Sequence, residues 1–131
     1  MSETFNAASV QRLLQAGDAK EAVRRLDHWH TDNEPTSESL YLLAVSYRYA
    51  GDLPQALETI EQLRTLAPRF GRGFQEAGHI YLASRNQQQA LSAFQRAVAL
   101  NDSLLGSWRA IRKLCARPEH SQLRKQALLQ S

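Results

Sequence analysis

Residues 37–70 read SESLYLLAVSYRYAGDLPQALETIEQLRTLAPRF, and this stretch decides the fold. Its small and apolar residues fall at Leu40, Leu43, Ala44 and Tyr47, then at Ala56, Ile60 and Leu63. Spacings of three and four put each set on one face of a helix. Between the two runs stands Gly51-Asp52. Glycine suits the left-handed residue that ends a helix, and Asp52 with Gln55 three positions on reads as a capping box that starts the next. Pro54 falls in a first turn, where its missing N–H costs little. Pro68 closes the second run, because the residue before a proline avoids the helical region. The stretch therefore predicts two antiparallel helices joined by a tight turn.

Moving outward by 34 residues in either direction finds the same arrangement again. Gly17-Asp18, Gly51-Asp52 and Arg85-Asn86 align, and behind them Ala22, Ala56 and Ala90, then Leu26, Ile60 and Phe94, then Trp29, Leu63 and Ala97. Upstream of the turns Leu13, Tyr47, Tyr81 and Cys115 align, as do Ser9, Leu43, Ala77 and Ile111, and Asn6, Leu40, Phe74 and Trp108. Asp18 with Glu21 and Asn86 with Gln89 repeat the capping-box spacing, and Pro35 closes its unit as Pro68 does.

A helix pair of this length with these small and aromatic positions resembles the tetratricopeptide repeat (TPR). The resemblance implies an all-α right-handed superhelical solenoid of about three to four antiparallel helix pairs in a single domain. Residues 37–70 and 71–104 keep the pattern, the latter with Phe74, Ala77-Gly78, Tyr81, Ala90, Phe94 and Ala97. Residues 3–36 are degenerate, since Asn6, Ser9 and Val10 stand where an aromatic, a leucine and a small residue are expected. Residues 105–131 begin as a further unit with Trp108, Ile111 and Cys115, then depart at Arg112, Arg117-Pro118 and Arg124, and read as a partial repeat or capping helices. Small residues at Ala44, Gly78, Ala56 and Ala90 allow the two helices of a unit to approach closely. Each pair leaves an apolar face that only the next can bury.

The totals narrow the function. The chain has 131 residues and one cysteine, Cys115, so it forms no internal disulfide and offers no cysteine metal cluster. No apolar run reaches the roughly 20 residues needed to span a bilayer, and MSETFNAASV has neither the basic nor the apolar region of a signal peptide. A cytoplasmic location is expected. His28-Trp29-His30 looks like a metal tract, but residues two apart on a helix point about 200° apart and cannot share an ion. His79 and His120 are isolated. No phosphate-cradling glycine loop or nucleophile elbow is present, and Gly71-Arg72-Gly73 reads as a helix start. Neither an enzyme, a metal nor a cofactor is expected.

Binding remains. The resemblance places the first helices of successive units along a concave groove and implies a peptide-binding surface of Tyr41, Val45, Arg48 and Tyr49, then Arg72, Gln75, His79 and Leu82, then Arg109 and Lys113. Aromatic and aliphatic surface mixed with cations suits a protein or peptide partner with acidic or carboxylate groups. The same residues could also be a groove floor and a solubilising cap. Residues 1–61 carry 5 basic and 10 acidic side chains and residues 62–131 carry 11 and 3, a gradient that favours an anionic partner toward the C-terminal half. Nucleic acid is the weaker anionic choice, because the arginines do not alternate with stacking aromatics. The carboxylate clamp known from some TPR proteins is absent: its positions hold Ala7, Gln11, Leu42, Arg72 and Glu76, or Tyr41, Val45, Glu76, Gly106 and Ala110. A homodimer through the terminal repeats is the alternative, with Leu104, Leu105 and Trp108 as its surface. Finally, Ala97 to Leu114 resembles the closing repeat of bacterial proteins in which a TPR array precedes a sulfotransferase domain. That resemblance implies an N-terminal recognition region of a larger protein, and the abrupt end at Gln130-Ser131, after a helix-like run from Leu123 to Leu129, agrees with that expectation.

Overall fold

The structure is a computed structural model and describes residues 6–116. Among these are seven helices and no strand: α1 Ala7–Gln15, α2 Ala19–Asp32, α3 Ser37–Tyr49, α4 Leu53–Leu66, α5 Gly71–Ala83, α6 Gln87–Leu100 and α7 Leu105–Ala116. The starts of α2, α4 and α6 are 34 residues apart, and so are those of α3, α5 and α7. The all-α helix-pair repeat expected from the sequence is thus the architecture observed. Arg117-Pro118, His120, Arg124, the run from Leu123 to Leu129 and the end at Gln130-Ser131 lie outside the described residues.

The degenerate first unit has a physical cause. Asn6, at the aromatic position, is the N-cap of α1: its side chain accepts the N–H of Ser9 at 3.2 Å. The helix therefore starts within the span that the faithful units give to their first helix. Val10 still reaches the core and is 4% exposed.

The three turns share one solution. In each, the residue after the left-handed position donates its N–H back to the third-last residue of the first helix: Asp18 to the Leu13 carbonyl at 2.8 Å, Asp52 to Tyr47 at 2.9 Å and Asn86 to Tyr81 at 2.8 Å. The left-handed residues themselves, Gly17, Gly51 and Arg85, donate to Leu14, Arg48 and Leu82. This is the Schellman closure of a helix. The side chains of Asp52 and Asn86 then open the next helix by accepting the N–H of Gln55 at 3.4 Å and of Gln89 at 3.2 Å. Because the N–H of the cap is already committed, the expected capping boxes are only half made. Asp18 makes no side-chain cap at all. Its expected partner Glu21 turns to Arg24 and Arg25, whose hydrogen bonds hold that carboxyl down to about 2. A complete capping box forms instead at Thr36 and Ser39, where a serine does the work of the usual Glu or Gln.

The chain divides into two compact units, Met1–Pro68 and Arg69–Ser131. In the first, Val10, Ala22, Leu26, Leu42 and Leu43 form a core cluster with Tyr41 and Tyr47 packed against it. Ala44 and Ala56 have no exposed surface, as the close approach of a helix pair requires. In the second, Ala90, Leu91, Phe94 and Leu114 form the cluster, flanked by Tyr81, Leu82, Ala110, Ile111 and Cys115. Gly78 meets the ring of fully buried Phe94, one turn beyond the expected Ala90. A Cβ at this glycine would lie 2.6 Å from that ring.

Two substitutions test these constraints. Gly78→Ala gains about 1 kcal/mol of helix propensity but overpacks against Phe94, and urea titration is expected to show a net loss of about 1–2 kcal/mol. Arg85 holds a φ of 62° without being glycine. Arg85→Gly is expected to raise the urea midpoint, corresponding to about 1 kcal/mol of relieved left-handed strain.

Candidate binding site

In the second unit, α5, α6 and α7 enclose an open pocket of about 800 Å³. α5 contributes His79 and Leu82, and the first residue of α6 contributes Gln87. α7 contributes Arg109, Ala110, Arg112, Lys113, Leu114 and Ala116. Helical periodicity accounts for this grouping, because 79 and 82, and likewise 109, 112, 113 and 116, are three or four apart. Leu82, Ala110 and Leu114 belong to or pack on the core cluster and supply an apolar wall. Arg109, Arg112 and Lys113 are exposed, and no carboxylate stands among the described lining residues. His79 sits edge-on to Phe94 with ring centroids 5.1 Å apart, so the core beneath orients it.

Of the six candidates from the sequence in this unit, His79, Leu82, Arg109 and Lys113 come together here. Gln75 does not line the pocket. Its Oε1 accepts a 2.7 Å hydrogen bond from the buried Ser107 hydroxyl, which ties α5 to α7. Arg72 lies over the Phe70 ring at 5.7 Å, also away from the pocket lining. In the first unit, Tyr41 packs on the core and Val45 is only 8% exposed, so Val45 serves packing rather than an accessible surface. Arg48 stacks over the ring of Tyr49 at 4.8 Å, and Tyr49 is 60% exposed. Sequence reading missed Gln87, Ala110, Arg112, Leu114 and Ala116. The aliphatic and alanine positions could have been found from the same helical face. In the sequence Arg112 stands out only as a departure from the small residue that the repeat has at its position.

Leu104 is half-buried, and its Cδ1 would lie 3.3 Å from a Cβ at Gly71. Trp108 is 40% exposed, and its indole N–H donates to the Asp102 carbonyl at 2.9 Å. Leu105 is 64% exposed.

No known protein family matches the chain, and no curated protein matches its sequence. Among solved structures, the chain is similar to PcrH, crystallised in complex with the chaperone binding region of PopB. The TM-score is 0.61 at 18% identity, over 98% of this chain and 99% of the other. The likeness supports a TPR-like helical-repeat fold.

The His28-Trp29-His30 tract resolves into structure. His30 Nε2 lies 2.8 Å from the Ser39 hydroxyl, joining the end of α2 to the capping box of α3, and its ring meets Trp29 edge-on at 5.4 Å. His28 is exposed. Among the described residues no three His, Cys, Asp or Glu side chains converge as metal ligands, nor is any helix long and apolar enough to cross a membrane. Partial burial lowers the His30 pKa below its ordinary 6.5, against a smaller opposing pull from Asp27. The unfolded chain therefore takes up this proton first on acidification. The stability tied to neutral His30 is complete above about pH 6.5 and is lost as pH falls through the folded value. An NMR titration is expected to place the His30 midpoint below 6.5. Between about pH 7.5 and 5.5, His30→Gln should flatten the fall in stability seen by urea unfolding.

Proposed function

We propose that the chain is a protein-binding module and that the pocket of the second unit receives a segment of its partner. The observation that carries this reading is the pocket itself: an open concavity with an apolar wall and a rim of polar and charged side chains, four of whose residues, His79, Leu82, Arg109 and Lys113, stand at positions that face the groove in TPR repeats. Its volume falls in the range of sites that hold several groups of a ligand rather than one side chain. PcrH, similar in fold, was crystallised with a region of a partner protein, which supports the same use of this scaffold. The reading is one of binding rather than catalysis, in a cytoplasmic setting. It is compatible with the chain acting as the recognition region of a larger protein, the role implied by the likeness of Ala97 to Leu114 to the closing repeat of TPR-sulfotransferases.

A second reading, self-association, is favoured by Leu105 and Trp108, two large exposed apolar side chains one turn apart on α7. Light scattering separates the two, since Leu105→Glu would lower the mass only if this face joins copies.

The binding reading is tested with 12-residue peptides selected on the protein from a displayed library. Leu82→Ala and Arg109→Ala are expected to weaken them by about tenfold or more, and Arg72→Ala by less than about twofold, in a fluorescence titration. Equal losses from all three would place binding elsewhere.

A further inference from the structure

We infer that the pocket of the second unit selects an acidic segment, and that Arg112 sets this preference; the inference rests on the pocket being the binding site. The first observation is a substitution within the repeat. Ala44, Gly78 and Arg112 occupy the same position in successive units. In the first two the residue is buried, and Gly78 is pressed against the ring of Phe94 on the partner helix. Arg112 is exposed and lines the pocket instead. A position that the repeat reserves for close packing has become a cation facing the site.

The second observation is how the charges are grouped. Arg109, Arg112 and Lys113 share one face of α7, and the rise from 109 to 113 is about 6 Å. None of the three forms an ion pair with a described residue, and the described lining holds no carboxylate. Two guanidinium forks within one helical turn suit bidentate capture of carboxylates, with Lys113 adding a point charge. The wall of Leu82, Ala110 and Leu114 between α5 and α7 accepts aliphatic side chains. The fitting ligand is thus a peptide in which aliphatic residues stand among carboxylates. Phosphate backbones would answer the cations too, but the described lining contains no Phe, Tyr or Trp on which bases could stack.

The test uses an array of 12-residue peptides that combine Leu with Glu or Asp at varied spacings, each paired with its Gln or Asn isostere. Affinities for the full chain are read by fluorescence anisotropy. The best acidic peptides are expected to bind at least about tenfold more tightly than their isosteres, with an affinity that falls as salt rises. Arg112→Ala should remove most of that preference while leaving isostere affinity within about twofold, and Arg112→Lys should restore only part of it. Lys20→Ala, an exposed cation of the first unit, should leave the preference intact, and thermal melts of each variant confirm that it folds. Equal binding of acidic and isosteric peptides, or equal loss of both in Arg112→Ala, would overturn the acidic selectivity while leaving the pocket as a binding site. Absence of binding by every peptide would overturn both. A twelve-nucleotide thymidine oligonucleotide that binds more tightly than any acidic peptide, and is lost in Arg112→Ala, would reassign the site to nucleic acid.

Discussion

A helix that reverses into another leaves carbonyls without donors at its end and N–H groups without acceptors at the next start. In two of the three described helix pairs both deficits meet in one residue. The main chain of Asp52 or Asn86 closes the helix behind it, while the side chain of the same residue opens the helix ahead. The turn can then be no longer than it is, and the left-handed residue before the cap becomes obligatory. With the turn fixed in length, α2, α4 and α6 recur at the same 34-residue spacing even where the first helix, α1, is shorter than its counterparts. Asp18 shows which half is indispensable: it keeps the main-chain bond to Leu13 and gives up the side-chain cap, and the turn survives.

What the turn sets up, the small residues complete. A short connection forces the two helices together, and the contact is so close at Gly78 that a single methyl group would collide with Phe94. Phe94 in turn orients His79, which stands on the same helix as Gly78 and opens on the pocket. Core packing and site geometry are therefore one arrangement in the second unit. The Ser107–Gln75 hydrogen bond has the same character, since it ties α7, which carries the lining cations, to α5 from a buried position.

The fold was legible in the sequence because turn chemistry and helical periodicity are local and repeat three times over. The pocket lining was only half legible. Groove positions carried over from the repeat include His79, Leu82, Arg109 and Lys113, which line the pocket, and also Val45, which the surrounding core covers, and Gln75, which a buried hydroxyl claims. Neither outcome is written in spacing, because both depend on what other helices bring to the same place. Arg112 was missed for the opposite reason. The repeat rule labels its position as packing, and only the structure shows an arginine there turned outward. The capping boxes failed in an instructive way as well: the spacing was right, but a donor needed by the motif was already spent on the preceding helix.

The cluster on α7 has a thermodynamic side. Like charges three and four residues apart on a helix repel by about 0.2–0.5 kcal/mol per pair, and Arg109 stands in that relation to both Arg112 and Lys113. A sequence optimised for the helix alone would break such a face with a glutamate. This one leaves the described face of α7 above the free energy that the helix could otherwise reach. An anion held there would relieve the repulsion as well as make its own contacts, so that part of its affinity would come from the helix and not from the new contacts.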